Sequence, residues 1–187
     1  MRDSEGSSAA LWRRLDVPGH DACRLDERAG GWRLHGTAVF SLAGTPARLD
    51  YRVDCDRSWR SHSARVQGWA GSQTVDITIV RRDDRWLLND TTVRGLDDCV
   101  DVDFGFTPAT NILQLRRIAL AVGEAADVAV AWLDVPAGTL LRLEQRYHRL
   151  GGERYLYDAP RFAYHAELDV NPDGFARRYP GLWALEE

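Results

Sequence analysis

No stretch of this 187-residue chain is long and apolar enough to suggest a membrane span. The opening residues, MRDSEGSSAALWRRLD, also lack the apolar run of a secretory signal. Residues 1–8 are therefore expected to be a disordered lead-in, and the protein to be cytoplasmic. Cysteine is scarce, with three residues (Cys23, Cys55 and Cys99) and no CxxC pair. An odd, widely spaced set argues against a disulfide framework and fits a reducing compartment. Positive charge is not in excess either: 24 basic residues face 28 acidic ones, for a net charge of −4. That balance excludes the broad basic surface that phosphate backbones select, so nucleic acid is not an expected partner. The five histidines (His20, His35, His62, His148 and His165) show no HxH or HExxH spacing. Neither a GxSxG elbow nor a glycine-rich phosphate loop occurs. No metal or cofactor is expected. A dyad of Cys99 with a histidine brought near by folding is the remaining nucleophile to consider.

What the chain does contain is alternation. A hydrophobic fraction of 44% and a charged fraction of 28% are ordinary for one globular domain. In residues 49–55, Leu49, Tyr51, Val53 and Cys55 alternate with Asp50, Arg52 and Asp54, the pattern of a half-buried strand. Residues 74–82 repeat it with Val75, Ile77 and Ile79 on one face. Further strands are expected over 32–42, 63–71, 85–91, 128–135, 140–150, 154–159 and 161–170. Turn residues separate them, and Asp83-Asp84 between two arginines suggests a tight hairpin. The fold class read from this is mainly β, one long antiparallel sheet that must curl, over residues 9–187.

One segment breaks the pattern: DVDFGFTPATNILQLRR, residues 101–117. Thr107 and Pro108 suit the N-cap and first position of a helix. Ala109, Ile112, Leu113 and Leu115 then cover a wide apolar arc, with Arg116 inside it, so the helix is expected to be enclosed by the sheet. Its far end is ambiguous, because residues 118–122 suit either more helix or a strand. Asp101 and Asp103 on one strand face call for a cation. A metal is one choice, but no neighbouring His or Glu supports it. The preferred partner is Arg116 or Arg117, whose planar fork can hold carboxylates, in a structural clamp with Thr107. A ligand-facing role for these arginines, for an anionic or sugar head group, stays open. Tryptophans and tyrosines on the strands, Trp59 and Tyr147 among them, either pack the core or line a cavity. The ending YPGLW, residues 179–183, either closes a sheet edge or makes an intersubunit contact.

Residues 99–120 (CVDVDFGFTPATNILQLRRIAL) resemble the signature of the bacterial "putative glycolipid-binding" family. Residues 51–59, 143–150 and 168–183 carry the resemblance over nearly the whole chain, with Gln114 standing where proline is expected in many members. The resemblance implies a spiral β-roll, a long antiparallel sheet wrapped around a single α-helix, assembled as a dimer. It carries no catalytic residues, and it marks Asp101, Asp103, Thr107, Asn111, Arg116 and Arg117 as shared core. Three functions remain in view. The first is a non-enzymatic binding or carrier protein for an amphipathic ligand such as a glycolipid, with Arg116, Arg117, Asn111, Trp59 and Tyr147 as ligand-facing candidates. The others are a homodimeric interaction domain without a small ligand, and a hydrolase using the Asp101/Asp103 region.

Overall fold

The computed structural model describes residues 7–186. Of the expected lead-in, residues 1–6 lie outside the described residues, and Ser7 and Ser8 open the first strand. Eight strands form one antiparallel meander: β1 Ser7–Arg14, β2 Gly19–Arg28, β3 Gly31–Leu42, β4 Thr45–Asp56, β5 Ser61–Ala70, β6 Gln73–Arg82, β7 Arg85–Leu88 and β8 Thr91–Val93. A short strand, β9 Asp101–Phe104, leads into the helix α1 Asn111–Ile118. A second meander follows as β10 Ala125–Asp134, β11 Thr139–Gly151, β12 Arg154–Ala159, β13 Tyr164–Val170, β14 Ala176–Tyr179 and β15 Trp183–Leu185. All 15 strands belong to one sheet, ordered β8 to β1, then β15 to β9. The expected mainly β fold with one helix is what the chain adopts.

Alternation explains the long strands. In β4, Ala47, Leu49, Tyr51, Val53 and Cys55 are buried, while Arg48 and Arg52 point outward. The outward face carries ion pairs such as Arg33–Asp54 at 2.6 Å and Arg65–Asp76 at 3.2 Å. Exposed pairs of this kind contribute under about 1 kcal/mol each, so the apolar phase, not charge, sets the register. Asp83 and Asp84 both take positive φ, 48° and 60°, making the two-residue hairpin turn between β6 and β7. Asn89 and Asp90 do the same, at 46° and 63°, and split the strand expected over 85–91 into β7 and β8.

The two meanders join through the chain's own ends. β1 pairs antiparallel with β15, Trp12 opposite Leu185 and Arg14 opposite Trp183. The terminal residues 179–183 are thus part of an internal seam. At the ends of the strand order lie β8 and β9, and the sheet does not close between them. Yet all four residues of β9 are buried, which an ordinary edge strand cannot achieve. The reason is curl: twist accumulates along so many strands and brings β9 back against the first meander. There Val102 N–H donates to Ser61 Oγ of β5 at 3.3 Å. Nearby, Trp86 Nε1 of β7 donates to the Cys99 carbonyl at 3.0 Å. β9 pairs in parallel with β10, and α1 supplies the crossover that parallel pairing requires.

The helix starts later than the Thr-Pro signal suggested. Residues 107–113 form tight i→i+3 turns, with Leu113 N–H reaching Thr110 O at 3.1 Å, and the regular helix begins at Asn111. Thr110 holds the N-cap place without capping, because its hydroxyl bonds Asp103 instead. Ala119, left-handed at φ 44°, ends the helix. Residues 119–124 then form a connection and not the further helix or strand weighed above. Asn111 to Leu115 are buried inside the curled sheet. Arg116, expected within the apolar arc, is exposed, near the end of this short helix.

Candidate functional site

β9 and α1 place the central polar residues. Arg117, in the last turn of α1, grips Asp101 with three contacts: Nε to Oδ1 at 3.1 Å, Nε to Oδ2 at 2.9 Å and Nη2 to Oδ2 at 2.7 Å. Asp101 is wholly buried; burial pushes its carboxyl up, and the Arg117 guanidinium pulls it part of the way back. Arg117 thus pairs with Asp101 and does not hold both carboxylates. Asp103 takes neutral donors instead: Thr110 Oγ1 at 2.5 Å, its neighbour's Phe104 N–H at 2.9 Å and Gln145 Nε2 at 2.9 Å. Burial outweighs these bonds and raises the Asp103 carboxyl above the ordinary range. The chain continues from Gln145, whose Oε1 accepts from Tyr147 OH at 3.2 Å, to Asn111, whose Nδ2 donates to Tyr147 OH at 2.8 Å.

Thr107 belongs to a second junction. Its hydroxyl accepts the Ala109 N–H at 2.9 Å and donates to Asp21 Oδ2 at 2.5 Å. Tyr51 OH donates to the same Asp21 oxygen at 2.9 Å, while Asp21 Oδ1 has no partner among the described residues. Burial with no cation beside it pushes the Asp21 carboxyl up to about 7. Gly36 keeps room for this junction, since a Cβ there would stand 2.5 Å from Tyr51 OH. Sequence reasoning missed Asp21. The available signal was a carboxylate in phase with Cys23 and Leu25, on the inward face of a strand not recognised as one.

Above these networks lies a cavity of about 340 Å³. Asp103, Thr107 and Asn111 face it from the β9–α1 side, and Trp132, Tyr157, Phe162, Tyr164, Tyr179 and Trp183 from the strands and the turn at 160–162. The walls are mainly apolar, and the polar groups converge on one side, the usual make-up of a small-molecule site. Phe162, 50% exposed, stands edge-on to Trp132 with ring centroids 5.2 Å apart, and both line the cavity. Burial pushes the Tyr164 hydroxyl up to about 12, so it stays neutral, and it donates to Pro180 O at 2.7 Å. A second cavity of about 530 Å³ flanks the C-terminal end of α1 and is lined by Trp59, Arg116, Arg149 and Tyr155 among others.

The five ligand-facing candidates thus separate. Asn111 lines the first cavity, and Arg116 and Trp59 line the second. Arg117 is committed to Asp101, and Tyr147 sits behind the first cavity with its ring 4.9 Å from that of Tyr157. Gln114 is fully buried, its amide facing the carbonyls of Thr110 and Asn111. No group of three or more His, Cys, Asp or Glu among the described residues could hold a metal ion. All three cysteines are free and buried. Burial pushes the Cys99 thiol up to about 12, opposite to the shift that activates a nucleophile.

The fold and cavity define a class: a mainly β roll curled around one helix, with an aromatic-lined pocket at the helix entrance. The chain belongs to the family described as "Putative glycolipid-binding", whose model matches residues 9–184. A crystal structure of a DUF1089 family protein from Pseudomonas aeruginosa is similar, with a TM-score of 0.70 at 26% identity. The alignment covers 98% of this chain and 94% of that one. No curated protein matches the sequence. No helix among the described residues is long and apolar enough to cross a membrane.

Proposed function

We propose that the protein is a non-enzymatic binding protein that carries an amphipathic, glycolipid-type ligand between its curled sheet and α1. The observation that carries this reading is the cavity of about 340 Å³, apolar on its strand side and polar at Asp103, Thr107 and Asn111. It lies near the lower end of the roughly 300–1,000 Å³ usual for ligand sites. The chain enters among Trp132, Tyr164 and Trp183, and the head group meets the polar side. The family description supports the ligand class. Commitment of Asp101 to Arg117, and of Asp103 to three donors, supports binding over hydrolysis. Three free buried cysteines support a cytosolic setting. A homodimer, which the family resemblance implies, completes the proposal and is read directly by light scattering behind size exclusion.

Calorimetric titration with hexyl and octyl glucoside, below their micelle concentrations, tests the reading. Each buried methylene contributes about 0.8 kcal/mol, so octyl glucoside should bind roughly 15-fold more tightly than the hexyl compound. Ala159, 2% exposed, lines the cavity; Ala159→Trp should fill it and abolish both. No binding by the folded wild-type protein, or equal binding by the filled variant, rejects the site.

A further inference from the structure

The second cavity holds two guanidinium groups with no carboxylate to neutralise them. Arg117 next door is paired with Asp101, but Arg116 and Arg149, which both line this cavity, take part in no ion pair among the described residues. Glu153, the one carboxylate on the lining, pairs with neither. Both arginines are nevertheless held in place. Arg116 Nη2 donates to Asp173 O at 2.5 Å, and its guanidinium stands 5.7 Å over the Trp59 ring. Arg149 donates Nε and Nη2 to Gly152 O at 3.1 and 2.9 Å and Nη1 to Leu120 O at 2.8 Å, beside the Tyr155 ring at 5.7 Å. A guanidinium has five N–H donors. One is used at Arg116 and three at Arg149, so both keep donors free.

The surroundings are built with unusual care for a surface pocket. Trp59 adopts a left-handed φ of 65°, a costly conformation for a bulky residue. It is held there by a tight turn in which Asp56 Oδ1 accepts the N–H groups of Ser58 and Arg60 at 2.8 and 3.0 Å. Its ring stacks on Trp32 with centroids 4.5 Å apart. On the other wall, Gly174 at φ 95° leaves space for the arginine, since a Cβ there would come within 3.2 Å of Arg116 Nε. Two fixed, unneutralised forks converging on one pocket are how proteins recognise anions with several oxygens.

We propose that this cavity is a binding site for a small oxyanion, a phosphate or carboxylate group, held jointly by Arg116 and Arg149. Its lining shares no residue with that of the first cavity, so it stands or falls apart from the lipid reading. The group comes from a soluble metabolite or from a lipid head group.

The test is an amide and indole NMR titration of the full chain at constant ionic strength, with three probes. These are inorganic phosphate, phosphatidylglycerol vesicles, and phosphatidylcholine vesicles as the zwitterionic control. Saturable shifts confined to Trp59, Arg116, Arg149 and residues 171–174 are expected with an anionic probe. Phosphate alone would identify a soluble anion, and phosphatidylglycerol alone a head group. Arg116→Gln loses one backbone contact and the guanidinium over the Trp59 ring, so it should stay folded with a slightly lower melting temperature while weakening binding at least tenfold. Arg149→Gln should do the same if it folds, and otherwise Arg116→Gln decides alone. The absence of saturable shifts with both anionic probes, or unchanged affinity in Arg116→Gln, overturns the site.

Discussion

Replacing Arg117 with methionine isolates the buried ion pair between β9 and α1. Asp101 is fully buried and its side chain is 0% exposed, whereas that of Arg117 is 23% exposed. Removing the guanidinium strands a carboxylate with no route to water. Breaking one side of a buried pair costs about 3–5 kcal/mol, a large share of the roughly 5–15 kcal/mol that holds a domain together. With a urea slope of about 2 kcal/mol per molar, the midpoint should fall by roughly 1.5–2.5 M. Asp101→Asn is the informative contrast. It leaves a guanidinium that can still turn toward solvent, so its cost should be smaller, about 2 kcal/mol. The double variant Asp101→Leu/Arg117→Met removes both charges and should recover most of the loss, because well-packed apolar replacements of buried pairs are often neutral. The pH response gives a second reading. In Arg117→Met, Asp101 loses the group that lowers it, so the destabilisation should ease toward acid pH, where the carboxyl takes up a proton. Urea unfolding of these proteins, with Asp101→Leu alone added to close the cycle, measures all of this. Single losses below about 1 kcal/mol, or a double variant whose loss equals the sum of the singles, would refute the reasoning.

Asp21 sets a second pH dependence. Its folded value of about 7 lies above the ordinary 3.8, so the folded state binds a proton that the unfolded chain releases. Stability from this group is therefore full below about pH 4 and declines as pH rises to about 7, by roughly 4 kcal/mol. Asp101 and Asp103, also raised, slope the same way, and Asp21→Asn should remove only its own part; identical pH profiles for the two proteins would contradict this. Gly36→Ala should destabilise the protein by more than about 2 kcal/mol, since the added Cβ would stand 2.5 Å from both Ala22 O and Tyr51 OH. Denaturant titration checks it, and a neutral substitution would mean the junction is looser than its distances. Truncation before Tyr179 removes β15, the strand that joins the two meanders, and so should lower the melting temperature sharply instead of merely altering assembly. An unchanged melt would show the seam to be dispensable.

Local periodicity reaches as far as the strands. Strands β4 and β6 were legible because each alternates cleanly, and the hairpin at Asp83-Asp84 because two such residues tolerate positive φ. β1 and β2 were not, since a buried Asp21 interrupts the apolar phase of β2 and its reason lies at Tyr51 and Thr107, far along the chain. The seam between β1 and β15 joins the two ends of the chain, and no local pattern records which strands will meet. Within the central run, an arginine partner for Asp101 followed from the need to neutralise a buried charge, but the choice of Arg117 over Arg116 did not. That Asp103 would instead be held by Gln145, 42 residues away, depends on β11 lying two strands from β9 across β10, which neutral donors do not advertise. Arg116 is exposed although it lies one turn beyond the buried Ile112, near the end of an 8-residue helix, and the apolar arc does not foretell where the enclosure stops.

The central claim, an amphipathic ligand held in the pocket between Asn111 and the strand aromatics, is tested most directly by native mass spectrometry of freshly purified protein. Solvent extraction and lipid analysis of the same sample would follow. The predicted result is a stoichiometric adduct that yields a single-chain lipid or glycolipid and is missing from Ala159→Trp prepared in parallel. A clean unliganded mass for the wild-type protein under gentle conditions, or the same adduct on the filled variant, would contradict it.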